Sequence, residues 1–262
     1  MRILVTGAGR AIGAATARAL AAGGHEVVAT ARDPASLAGL DVHLRLALDV
    51  TDDASIGTAL AEAGELDGVV NNAALTAKGP LESFPVEHMR AIFETNAIGP
   101  VRLLQQVLPG WRRRGSGVVV NISSIQGRVG TPLEGAYAAS KFALEALSEA
   151  LYYELGHFGI RVVVIEPGYT GPGMKRSGDH PGDPAYAELW AQWAGTDAAV
   201  TGPGGRPGPE TVAEAVRRAV EDPGTPLRVP VGADAATVLG ARSRLDDAEF
   251  EQAMREVLGI TW

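Results

Sequence analysis

Three features of the sequence predict an α/β fold, a parallel sheet doubly wound with helices on both faces. Short apolar runs alternate with helix-period segments through most of the chain, the alternation that builds β-α-β units. The first apolar run, Arg2 to Thr6, passes straight into a glycine-rich turn, Gly7-Ala8-Gly9-Arg10-Ala11-Ile12-Gly13, and then into a helical pattern. Ile160 to Ile165 is continuously apolar, as a parallel strand covered on both faces is. A sheet of this kind with glycines at its first strand–helix junction is Rossmann-type, with about seven strands expected here. The 262 residues, 46% of them hydrophobic, suit one domain over 1–262 with a large core.

The elements follow in order. The helix after the glycine turn runs through Ala15, Ala19 and Leu20 and stops at Gly23-Gly24. Glu26 to Ala31 is strand two. Glycines let a backbone approach a pyrophosphate, and a helix N-terminus favours its charge. Gly7, Gly9, Arg10, Ile12 and Gly13 are therefore candidate cofactor contacts. In dinucleotide folds an acidic residue ending strand two holds the ribose hydroxyls of NAD. Here Ala31 ends it and Arg32-Asp33 follow. A guanidinium binds phosphate through paired, charge-assisted bonds, so Arg32, joined by Arg10, predicts NADP(H) in preference to NAD(H).

His43 to Val50 reads as strand three, ending in Asp49-Val50, and Asp52 to Ala63 as an acidic-started helix. Asp67 to Val70 is strand four and runs into Asn71-Asn72-Ala73-Ala74. Ligands bind beyond the carboxyl ends of such strands, which makes Asp49, Val50, Asn71 and Ala73 candidates. Pro85 to Arg114 reads as one long helical region bent near Gly99-Pro100, with Asn96 just before the bend. Gly117 to Ile122 is strand five, leading into Ser123-Ser124; strand six ends in Glu166-Pro167-Gly168. Residues 169–208 are rich in Gly and Pro and read as a lid or substrate-binding insert. It holds a short helix, Asp183 to Trp193, whose aromatics form either a substrate wall or the buried side of a packed helix. Pro209 to Glu221 is a helix, Leu227 to Val231 strand seven, and Asp246 to Leu258 a C-terminal helix.

Composition excludes several classes. A net charge of −8 argues against a nucleic-acid surface. No apolar run approaches a membrane span, and the N-terminus turns glycine-rich too soon for a signal peptide, so a cytoplasmic protein is expected. There are no cysteines and the five histidines are scattered, so neither disulfides nor a metal site is expected.

The segment Glu134 to Phe142 contains Tyr137-x-x-x-Lys141 at the start of a helix in which Leu144, Leu147, Leu151 and Leu155 recur at spacings of three and four. Positions i and i+4 share a helix face. An ammonium beside a phenol favours the phenolate and lowers its pKa, as a general acid–base near neutral pH needs.

Taken together, Thr6-Gly7-x-x-x-x-x-Gly13, Asp49, Asn71-Asn72-Ala73, Asn96, Ser124, Tyr137-x-x-x-Lys141 and Pro167-Gly168 resemble, in order, the motifs of the one-domain short-chain dehydrogenases/reductases. The resemblance runs to about Gly232. It implies four catalytic residues. Tyr137 exchanges the proton with the substrate oxygen. Ser124 donates a hydrogen bond to that oxygen. Lys141 lowers the Tyr137 pKa and binds the nicotinamide ribose. Asn96 holds a water that relays protons from Lys141 to solvent. It also implies cofactor contacts from Tyr137, Lys141, Pro167, Gly168 and Thr170. The segment Val229 to Asp234 looks like that of members acting on steroid and retinoid alcohols. Three positions depart from the pattern: Ala11 and Ala74 replace glycines, and Pro172 stands where a threonine often binds the nicotinamide amide. The implied activity is NADP(H)-dependent hydride transfer on an alcohol/ketone pair of a small, largely apolar substrate. The alternatives are dehydration, epimerisation or cyclisation on a retained cofactor, or non-catalytic NADP sensing. Pairing of the helices Gly99–Arg114 and Ala136–Gly156 in the family implies a homodimer or homotetramer.

Overall fold

The computed structural model describes all residues except 173, 175 and 202–205, and only the backbone of 197–201. Each apolar run becomes a strand: β1 (Arg2–Val5), β2 (Glu26–Ala31), β3 (Leu44–Ala47), β4 (Gly68–Asn71), β5 (Gly117–Ile122), β6 (Ile160–Pro167) and β7 (Arg228–Val231). They form one sheet in the order β3-β2-β1-β4-β5-β6-β7, and every neighbouring pair is parallel. The connections are made by α1 (Ala11–Ala22), α2 (Asp53–Ala63), α3 (Val86–Phe93), α4 (Gly99–Arg114), α5 (Gly135–Gly156), α6 (Ala187–Thr201) and α7 (Pro209–Glu221). After the last strand come α8 (Ala233–Arg242) and α9 (Asp247–Leu258).

Side chains of a strand alternate between faces, and the core divides accordingly. Ile3 and Val5 pack with Leu20, Val216 and Val220 on one side. Leu4 packs with Ile56, Leu103, Leu104 and Trp111 on the other. Each of these large side chains is buried, which stabilises the fold by about 1.5–3 kcal/mol apiece. Helix ends carry their own signals. Asp52 accepts from the Ala54 N–H to start α2, Gly115 in the left-handed region stops α4, and Asp246 with Glu249 forms a reciprocal capping box on α9.

Four elements differ from the sequence reading. Strand β3 is Leu44–Ala47 rather than His43–Val50, because as an edge strand it pairs only with β2, and β2 ends at Ala31. The region 85–114 is broken at Glu94–Ile98, a π-helical turn, and not at Gly99-Pro100. Gly99 instead permits close approach of α4 to the β3–α2 connection: a Cβ there would meet Val50 Cγ2 at 2.8 Å. The insert helix is preceded by a short turn, Pro184–Tyr186 capped by Asp183, and α6 continues beyond Trp193 to Thr201. Helix α8 has no counterpart in the sequence reading. Ala235 is its one buried residue, so its sequence carries almost no apolar stripe.

Candidate active site

The order of strands reverses direction at β1, whose neighbours β2 and β4 lead away to opposite edges. The crevice at such a switch point is where open α/β sheets bind ligands. A cavity of about 760 Å³ opens there.

Its floor is the glycine turn. Gly7 has φ +65°, and a Cβ on it would lie 2.9 Å from Ala73 Cα. A Cβ on Gly13 would lie 2.3 Å from the Gly7 carbonyl oxygen and 2.5 Å from Asn72 Nδ2. These two glycines therefore fit the turn against the end of β4. Asn72 Nδ2 donates to the carbonyls of Thr6 (2.8 Å) and Gly7 (3.1 Å). Thr6 Oγ1 in turn accepts from the Asn72 and Ala73 N–H groups, both at 3.0 Å. Ala11, which replaces a family glycine, begins α1 with φ +43°, a left-handed angle that alanine adopts at a cost of about 1–2 kcal/mol.

Gly7, Gly9, Arg10, Ile12, Gly13, Arg32, Asp49, Val50, Ala73, Ser124, Tyr137, Lys141, Gly168 and Thr170 all line the cavity. The guanidinium groups of Arg10 and Arg32 are exposed and, among the described residues, have no ion pair or hydrogen bond. Asp33 does not hold Arg32; it caps the following turn through the Ala35 N–H at 3.0 Å. Ser36, which the sequence reading missed, joins this wall. Its Oγ donates to the Asp33 carbonyl at 2.6 Å, and a Cβ on Gly9 would stand 2.3 Å from it. A lone serine in a loop carries no sequence signal.

Asn71 and Pro167 are corrections, since neither is on the cavity wall. Asn71 is the last residue of β4 and points into the protein. Its Nδ2 donates to Asn121 Oδ1 at 2.8 Å, Asn121 Nδ2 donates to Ser148 Oγ at 2.8 Å, and Ser148 Oγ donates to the Leu144 carbonyl. This buried chain fastens α5 to the sheet. The period of two places Asn72, one residue on, against the turn. Pro167 is the buried last residue of β6, and Gly168, half-buried, takes the position on the cavity wall after it.

Ser124 follows β5, and its Oγ accepts the Gln126 N–H at 3.2 Å, which fixes the hydroxyl at the start of a short turn. Tyr137 lies in the first turns of α5 and is 8% exposed. Burial holds its phenol above the ordinary tyrosine range, and the Glu134 carboxylate adds to this; the Ser124 hydroxyl opposes it. The depressed phenol expected from the Tyr-x-x-x-Lys spacing is thus not what the structure has. The physical reason is burial; Lys141 Nζ, 5.8 Å from the Tyr137 ring centre, donates instead to the Ile122 carbonyl at 2.7 Å. Burial lowers Lys141 itself to about 8, against an opposing pull from Glu145.

Asn96 sits inside the π turn at 1% exposure. Its Oδ1 accepts the Leu75 N–H at 2.7 Å, and both amide hydrogens are committed, to the Leu75 carbonyl and Ser140 Oγ at 2.9 Å each. The side chain therefore positions rather than relays: it ties the loop after β4 to α5 immediately beside Lys141.

Beyond Tyr137 the cavity is closed by the insert. Trp193 is both wall and core: it lines the cavity and packs with Leu133, Leu189, Leu258 and Ile260. Trp190 Nε1 donates to the Pro181 carbonyl at 2.9 Å. Lys78 and Glu134 form a half-buried ion pair on the same wall at 3.4 Å, with Lys78 Nζ 5.6 Å from the Trp193 ring centre.

Comparison with known proteins agrees with this geometry. The family model for short chain dehydrogenase matches residues 1–181. The chain is 40% identical over 170 residues to the 3-ketodihydrosphingosine reductase of Bacteroides thetaiotaomicron, covering 63% of this chain and 62% of that protein. A short-chain dehydrogenase from Streptomyces avermitilis superposes with a TM-score of 0.83 at 36% identity, over 100% of this chain and 99% of its own. Another from Burkholderia cenocepacia, in complex with NADP, has a TM-score of 0.77 at 26% identity over 98% and 96%. The match to the family model, over more than two thirds of the chain and across every strand up to β6, makes this protein an oxidoreductase of the short chain dehydrogenase family.

Proposed function

We propose that the protein is an NADP(H)-dependent oxidoreductase that interconverts an alcohol and a ketone on a small, largely apolar substrate. The observation that carries this reading is the convergence of Ser124, Tyr137 and Lys141 on one cavity whose far end presents Arg10 and Arg32, exposed and without partners among the described residues. The glycine turn, the α1 N-terminus and the two guanidinium groups fit the pyrophosphate and 2′-phosphate of NADP. The nicotinamide, when bound, supplies the hydride. The protein's own residues handle the proton and the orientation. Tyr137, protonated because it is buried, donates to the carbonyl oxygen in the reducing direction. Ser124 gives a hydrogen bond to the same oxygen and fixes its place. Lys141 supplies positive charge that favours the tyrosinate left behind. Trp193, Met174 and Ile125 offer apolar wall to the substrate body.

The reductase relative and the NADP complex of the Burkholderia neighbour support the reading. Exposed Phe142, Leu147, Tyr152 and Tyr153 along α5 support the proposal of a homodimer or homotetramer paired through α4 and α5. Among the described residues no helix is long and apolar enough to cross a membrane, and a cytoplasmic site of action is part of the proposal. The test is turnover of a panel of ketones and alcohols with NADPH and NADH, followed at the nicotinamide absorbance. Stoichiometric NADPH oxidation with a ketone supports the reading; product formation with no net cofactor change points to dehydration, epimerisation or cyclisation instead.

A further inference from the structure

Behind Lys141, on the side away from the cavity, lies a cluster of buried charges that the mechanism above does not use. Glu145 stands one helical turn after Lys141 on the same face of α5, and the two residues are 4% and 3% exposed. Glu166, near the end of β6, is 1% exposed. The turn after β5 makes room for them. A Cβ on Gly127 would stand 2.9 Å from Glu145 Cγ and 2.5 Å from Ser123 Oγ.

Two arginines close the outer side. Arg228 Nε donates to Glu145 Oε2 at 3.0 Å and its Nη2 to Glu149 Oε2 at 2.7 Å. Arg128 Nη1 lies 3.5 Å from Glu166 Oε1. On the inner side, Glu145 Oε1 and Ser123 Oγ are buried and, among the described residues, have no hydrogen-bond partner. Burying a carboxylate costs several kcal/mol unless nearby charge compensates it. Glu145 therefore has its outer oxygen neutralised by Arg228 and its inner oxygen left to the interior beside Gly127.

We propose that Glu145 is a positioning residue for proton transfer: its carboxylate, buried one helical turn from Lys141 on the same face of α5, keeps Lys141 in the ammonium form. The proposal rests on the reading of Tyr137 and Lys141 as the proton-transfer pair. Burial lowers Lys141 to about 8 and Glu145 pulls it back up. Burial raises Glu166 to about 7, with the Glu145 charge adding and Arg128 and Arg228 opposing. The groups facing Lys141 are Tyr137 and Glu145 from α5 and the Ile122 carbonyl from β5; Glu134 at the head of α5 faces Tyr137. Glu166 from β6, Arg128 from the turn after β5 and Arg228 from β7 face Glu145.

The chain has three lysines, Lys78, Lys141 and Lys175, so 13C-lysine labelling of the whole protein resolves the Lys141 titration by NMR without substrate, with Lys141→Arg assigning the signal. In Glu145→Gln the Lys141 titration should move down by about one pH unit, the loss of one close opposite charge. The pH profile of ketone reduction should lose activity at pH 8 by about fivefold, with a smaller loss at pH 6.5. Glu145→Asp should restore most of the shift. Glu149→Gln, which touches the same arginine, should leave both readouts at wild-type values. Glu166→Gln, a permanent mimic of the protonated acid, should leave the Lys141 midpoint within about 0.3 units. An unmoved Lys141 titration in folded Glu145→Gln overturns the proposal, as does a loss of activity equal at all pH values. A shifted titration in a protein that reduces no ketone leaves the counter-charge standing and removes the dehydrogenase reading. If Glu145→Gln fails to fold, Glu145→Asp decides: a midpoint within about 0.1 units of wild type, together with a cold-folded Glu145→Ala that matches it, also overturns the proposal.

Discussion

Replacing Gly13 by alanine tests the reason for the glycine turn. Position 13 lies within α1, where alanine is favoured over glycine by about 1 kcal/mol on propensity alone. The structure opposes that gain. The added methyl would stand 2.3 Å from the Gly7 carbonyl oxygen, 2.5 Å from Asn72 Nδ2 and 3.0 Å from Ala8 Cα. Two of these neighbours are backbone atoms, and the third belongs to an amide held by two hydrogen bonds. Relief therefore requires α1 to move outward from β4. Overpacking of this kind costs about 1–3 kcal/mol, and loosening two bonds to a half-buried amide adds about 1–2 kcal/mol. The net expectation is destabilisation by about 2–3 kcal/mol, a fall in Tm of roughly 5–10 °C for a domain of this size. NADPH affinity should fall with it. The control is Gly57→Ala in the middle of α2, where the new methyl meets only Gln106 Oε1 at 3.6 Å. That variant should be unchanged or stabilised by up to about 1 kcal/mol. Urea or thermal denaturation of the three proteins side by side provides the comparison. A Gly13→Ala protein as stable as Gly57→Ala refutes the close-packing account of the turn.

Tyr137→Phe should abolish turnover while leaving NADPH binding nearly intact by fluorescence titration, and Lys141→Ala should damage both; substantial turnover by Tyr137→Phe removes the assignment. Arg32→Ala should weaken NADP by about ten- to hundred-fold, one to two charge-assisted bonds, and leave NAD little changed; kinetic constants for both cofactors check this, and a wild type that prefers NAD contradicts it. Light scattering at micromolar concentration should return a dimer or tetramer mass, and a monomer mass refutes pairing through α4 and α5. His88 Nδ1 lies 2.6 Å from His180 Nε2, and His88 Nε2 lies 2.6 Å from Ser177 Oγ, so these groups bind the insert to α3. Burial first, then His180, lowers the His88 pKa below its ordinary 6.5. The folded state thus binds fewer protons than the unfolded one, and stability falls as pH drops through and below about 6.5. His88→Gln should show a smaller loss of Tm between pH 7.5 and pH 5.5 than wild type, and an equal loss counts against the histidine contact as the cause.

The fold was legible because its signals are local. The strand at Ile160, the glycine turn after Thr6 and the helix at Pro209 each declare themselves within a short window. The alternation of strands and helices then leaves few topologies to choose between. Ser124, Tyr137 and Lys141 could be placed at a strand end and on one helix face because motif spacing fixes which residues share them. Arg32 stands on the cavity wall beside Ala31, a neighbour without a carboxylate.

What lay beyond the sequence depends on residues far apart in the chain. Asn71 and Asn72 look equivalent as letters, yet pleating sends one toward Asn121 and Ser148 and the other onto the Gly7 turn. The state of Tyr137 is another case. Spacing alone places a lysine near it, but burial and Glu134 set its proton affinity, and Lys141 gives its hydrogen bond to Ile122. The side-chain bonds of Asn96 to Leu75 and Ser140, 21 and 44 residues away, are a third case that no local propensity encodes. The sequence by itself determined the order of elements and which polar residues stand at strand ends or share a helix face, since both follow from periodicity and spacing. Only the tertiary structure decided which polar groups face the cavity, which are buried against one another, and therefore which protons are free to move.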